Sequence, residues 1–117
     1  MGQFVPEVSH EDVERILKRD FPLEAQREIS QAIEQVHVTE KNRVVLACMK
    51  NAAGNVQKLK SNLAKASGYY REIIGEAEYP NYLKKMFRIE KLSEAEKAAI
   101  IEKDKNQYLN WFNRRGS

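Results

Sequence analysis

Residues that carry chemistry are scarce in this chain. The single cysteine, Cys48, has no partner within 117 residues, which excludes an intramolecular disulfide and a cysteine-rich metal site. It lies in the most apolar helical pattern of the chain, so a buried, structural thiol and a reducing, cytosolic setting are expected. Only two histidines occur, His10 in a helix first turn and His37 between helices, and no Ser–Asp pairing or acid cluster at ligand spacing accompanies either. His10, Glu11 and Glu14 read as solvated charge on a surface helix rather than as a metal clasp. There is no glycine-rich phosphate loop: Gly54-Asn55 has no Lys-Ser/Thr behind it. These absences leave no catalytic constellation, and the expectation is a non-enzymatic protein without cofactor or metal.

The start, MGQFVPEVSHEDV, has neither the basic opening nor the continuous apolar run of a signal peptide, and no segment approaches the roughly 18 apolar residues that span a bilayer. A soluble cytoplasmic protein is the expectation. No stretch alternates apolar and polar residues over strand length between turn signals, and no repeat or low-complexity segment appears.

What is present is helical periodicity. Residues 39–78 form the organising stretch. Thr39 is placed to cap a helix whose Val44, Val45, Ala47, Cys48, Met49, Ala52 and Ala53 cover more than one stripe, the pattern of a central helix touched on several sides, about 40–53. Gly54 supplies the left-handed closure and Asn55 the next cap. Val56, Leu59, Leu63, Ala66, Tyr70, Ile73 and Ala77 then recur at steps of three and four along one face of a long helix. Ser67-Gly68 either interrupts that helix or is absorbed by it, because a fresh cap and an interior glycine fit the sequence equally. Pro80 ends the region at Tyr79.

Around this hairpin the elements follow in order. Residues 1–8 are a lead-in, with Phe4, Val5 and Val8 free to pack as a strap. Ser9 and Asp12 resemble a shortened capping box before Val13, Ile16 and Leu17. Pro22 opens a second helix with Ala25, Ile29, Ala32, Ile33 and Val36 on its inner face. Tyr82, Leu83, Met86, Phe87, Ile89 and Leu92 suit a short helix and a loop that packs inward. Ser93 with Glu96 starts the last helix, whose stripe is broken at Asp104 and Lys105 into an Ile100/Ile101 end and an aromatic end. Residues 9–115 thus make one all-α domain, a compact array of five to six helices, with 116–117 a tail.

The passage ACMKNAAGNVQKLKSNLAKASGYYREIIGEAEYPNYLKK and the terminal DKNQYLNWFNRR resemble an uncharacterised family of small bacterial all-helical proteins. Its shared features are an apolar helix, a glycine turn, a Lys/Leu helix, an AEYP close and a late tryptophan. The resemblance implies the all-helical fold and a bacterial source, and no activity.

Charge is distributed unevenly. Residues 1–40 hold nine acids and four bases, 41–71 hold seven bases and no acid, and 72–117 hold nine bases and eight acids. The middle segment offers a basic surface from Lys41, Arg43, Lys58, Lys60, Lys65 and Arg71, an electrostatic footprint for nucleic acid unless the acidic first helices lie beside it. The run CMKNAAGNVQKLKSNL is also similar to the helix, Gly-Asn turn, helix core of Fis-like helix-turn-helix domains, although Lys60 falls where that family buries a small residue and Ala64 where it ends the recognition helix with glycine. The competing reading, ranked first, is a protein interaction module engaging an unknown protein or a second copy. Its candidate anchors are Tyr82, Tyr108, Trp111 and Phe112, residues whose helical spacing also fits the core.

Overall fold

Local chemistry marks the helix boundaries. The computed structural model describes residues 4–115, so the expected tail at 116–117 and the first three residues of the lead-in lie outside the described residues. Helix α1 (His10–Asp20) opens on a complete capping box, with Asp12 Oδ2 accepting the Ser9 N–H at 2.9 Å and Ser9 Oγ accepting the Asp12 N–H at 3.3 Å. Helix α2 (Leu23–Glu34) follows Pro22. Val36, expected on its inner face, is buried in the connection that follows. The central helix α3 (Lys41–Ala52) is not capped by Thr39: Glu40 occupies the N-cap with φ 56° and offers no side-chain cap.

Six consecutive α3 residues, Val44 to Met49, are buried, and Ala52 with them. A helix can be covered all round only if neighbours wrap it, and α4 (Val56–Glu78) supplies most of the wrapping. The glycine-interrupted stretch is one hydrogen-bonded helix with a kink: Tyr69 leaves helical geometry at φ −126°, ψ 25°, directly after Gly68. Both halves then reach α3. Asn62 donates to the Cys48 carbonyl before the kink, while the Ile73 carbonyl accepts from Asn51 at 3.0 Å after it. Leu59, Leu63, Ala66, Ile73 and Ala77 are buried on this path, but Tyr70 is exposed because the kink turns it off the inner face. The helix continues well past Ala64, so it is not the short recognition helix of a Fis-like arrangement.

The chain then forms α5 (Pro80–Lys85), a 3-10 helix (Met86–Lys91) and α6 (Glu94–Phe112), the last opened by the expected Ser93–Glu96 capping box. Among the described residues the fold is all-α, one domain without strands. Its radius of gyration, 14.9 Å, exceeds the roughly 13 Å expected for a rounded domain of this length, and its extents are 48 × 32 × 22 Å. The elongation has a source in burial: no residue from Tyr79 to Lys103 is buried. That segment is an arm, and the core is built by α1 to α4 with the end of α6.

Candidate functional site

The arm is held firmly at its base. Gly75 of α4 permits close approach there: a Cβ on it would lie 3.1 Å from Leu83 Cδ1 and 3.3 Å from Tyr79 Cε2. Asp104 is buried rather than a solvated interruption of α6, and its carboxylate caps α5 by accepting the N–H groups of Asn81 (2.8 Å) and Tyr82 (3.0 Å). Gln107 donates to the Ala77 carbonyl at 3.0 Å, closing α6 against the end of α4. Tyr82, a proposed anchor, is half-buried here with its ring edge-on to Tyr79.

Beyond this base the tip is free. Phe87 is 97% exposed and Met86 48%, contrary to the expectation that this stretch packs inward. The physical reason is that α5 packs on α6 and α4 while the 3-10 helix packs chiefly on α5 alone, so its short turn carries both side chains past the contact with the body. Lys84, Lys85, Arg88 and Lys91 surround them with Glu90 the one acid, and among the described residues none of these cations forms an ion pair. Leu23 is also exposed, but it stands alone at a helix start. The signal in the sequence was KKMFRIEK, two large apolar residues enclosed by cations on both sides.

The other proposed anchors serve the core. Tyr108 is fully buried and so is corrected from surface to interior; Phe4 packs on it from the lead-in strap at 5.9 Å, with Trp111 and Phe112 at 5.4 and 6.0 Å. Burial, reinforced by nearby Glu78, keeps its hydroxyl protonated far above the usual range. Trp111 and Phe112 are half-buried against the core, under Arg19 and Arg15 of α1. Arg19 donates to the Trp111, Phe112 and Arg114 carbonyls, satisfying orphan acceptors at the end of α6, while Asp20 holds both Arg19 and Arg114. These aromatics dock α6 onto α1.

The basic set divides. Arg43 is withdrawn from the proposed surface: its guanidinium grips Glu78 at 2.8 and 2.7 Å, and Glu78 is buried. Burial pushes the Glu78 carboxyl up against the pull of Arg43, while the Glu78 hydrogen bonds push Arg43 up. Lys60 pairs with Glu28 of acidic α2, and Lys41 is half-buried at a cleft. Lys58, Lys65 and Arg71 remain exposed, Arg71 over the Tyr70 ring.

That cleft, about 330 Å³, lies between α1, α2 and the start of α3, floored by Val13, Leu17, Ile33 and Val45 and rimmed by His10, Glu14, Ser30, Glu34, Lys41 and Asn42. His10 Nε2 and Glu14 Oε1 are 3.1 Å apart across its edge. Among the described residues no group of three or more His, Cys, Asp or Glu is placed to hold a metal, and no helix is long and apolar enough to cross a membrane. Comparison with protein-family models, curated proteins and solved structures returns no match.

Proposed function

We propose that this is a non-enzymatic interaction protein of the bacterial cytoplasm that docks a protein partner through the tip of its arm. The observation that carries the reading is Phe87, nearly fully exposed beside Met86 on an element whose base is fixed by Asp104, Gln107 and Gly75. A large aromatic on a pre-ordered element loses little conformational freedom on binding, and such residues dominate interface energetics. The four cations around it add steering toward an acidic partner surface. A buried thiol in a chain without a second cysteine suits a reducing compartment.

A photo-crosslinking amino acid at position 87 tests this in cells. A discrete protein adduct is expected from position 87 and none from exposed Arg27. Absence of any adduct specific to position 87 would overturn the reading. A second reading, nucleic-acid binding, is favoured by the exposure of Lys58, Lys65 and Arg71; it requires duplex affinity that falls steeply with salt and disappears in Lys58→Glu/Lys65→Glu.

A further inference from the structure

We infer that the partner is a second copy of this chain, whose cleft between α1, α2 and α3 receives the Phe87 tip. The inference rests on the docking reading above and adds the identity of the occupant. Shape supplies the first argument. The tip is convex and apolar at Met86 and Phe87, while the cleft is concave, with Val13, Leu17, Ile33 and Val45 as its floor. Its volume of about 330 Å³ falls within the roughly 300–1,000 Å³ of pockets that enclose small ligands, so it has room for an aromatic side chain.

Charge supplies the second. Residues 84–91 carry four bases and one acid. The first forty residues, which build most of the cleft, carry nine acids and four bases, and Glu14 and Glu34 stand at its rim. Lys41 and His10 share that rim, with His10 Nε2 3.1 Å from Glu14 Oε1, so the lining sets two carboxylates, Glu14 and Glu34, against one lysine. The same charges argue against the simplest alternative: two tips placed together would oppose four cations to four cations, a repulsion that disfavours arm-to-arm pairing. The contact therefore joins unlike patches. Two such contacts made reciprocally close a two-fold dimer, and one made head to tail leaves an open chain.

Sedimentation equilibrium of the full chain over a concentration series, at low and high salt, tests the inference. Concentration-dependent association that weakens with salt is expected. Phe87→Ser abolishes it, Arg88→Glu weakens it about tenfold or more, and Glu34→Lys combined with Arg88→Glu restores it, because the exchanged charges again oppose one another. All three positions are exposed, and circular dichroism of each variant checks that the fold is kept. A wild-type chain that stays monomeric throughout overturns the inference, as does association indifferent to Phe87→Ser. Phe87-dependent pelleting of a monomeric chain with phosphatidylcholine vesicles containing phosphatidylserine overturns it too and gives the tip to a lipid surface. A monomer that still forms a position-87 adduct with a different protein refutes the second copy alone; a monomer with no adduct refutes the docking reading as well.

Discussion

Asp104 and Asn81 meet twice: one carboxylate oxygen accepts both the backbone N–H and the side-chain amide of Asn81, each at 2.8 Å. Its other oxygen accepts the Tyr82 N–H at 3.0 Å. A buried residue of α6 thus caps α5, whose own N-cap residue, Tyr79, supplies no side-chain bond. Asp104→Ala leaves these donors without an acceptor at the base of the arm. The expected loss is about 2–3 kcal/mol in urea unfolding, the range of a hydrogen-bonded buried charge. Asp104→Asn, which keeps one acceptor oxygen, is expected to lose less.

Two glycines predict opposite effects for the same substitution. Gly68 has open space where a Cβ would stand, so Gly68→Ala gains helix propensity and is expected to stabilise by about 1 kcal/mol. At Gly75 the added methyl meets Leu83 and Tyr79 at 3.1 and 3.3 Å, and overpacking of about 1–3 kcal/mol outweighs that gain. Melting temperatures of the two variants should move in opposite directions.

Cys48 predicts a pH dependence on the alkaline side. Burial pushes its thiol up to about 12, against about 8.5 in an unfolded chain. Between these values the unfolded state has lost a proton that the folded state retains, so stability falls as pH rises, by about 1.4 kcal/mol per pH unit from this group. Cys48→Ala should show a shallower alkaline slope than wild type, whatever its absolute stability. Parallel slopes would contradict a buried, protonated thiol.

The fold was legible where neighbours in sequence decide it. Ser9–Asp12 and Ser93–Glu96 are local caps, and the apolar surplus of α3 required partners on several sides. Gly54 took the left-handed conformation at φ 85°, although Ala53 before it did so as well, at φ 51°. What was not legible depends on distant contacts. Asp104 looks like a solvated acid until α5 places three donors against it. Tyr108 and Phe87 are both large aromatics on helical segments; one is covered by Phe4 and the C-terminal aromatics, the other extends beyond every neighbour. Periodicity tells that an apolar face exists, not whether the chain itself covers it. The basic segment likewise lost Arg43 and Lys60 to acids 35 and 32 residues away.

The most direct test of the arm as a docking element is the urea unfolding of Phe87→Ala beside Tyr108→Ala. If the core is complete without the tip, Phe87→Ala stays within about 0.5 kcal/mol of wild type, as surface substitutions do. Tyr108→Ala, which empties a fully buried aromatic site, should cost about 3–5 kcal/mol. A comparable loss for Phe87→Ala in the monomer would place that ring in the chain's own core and contradict the account.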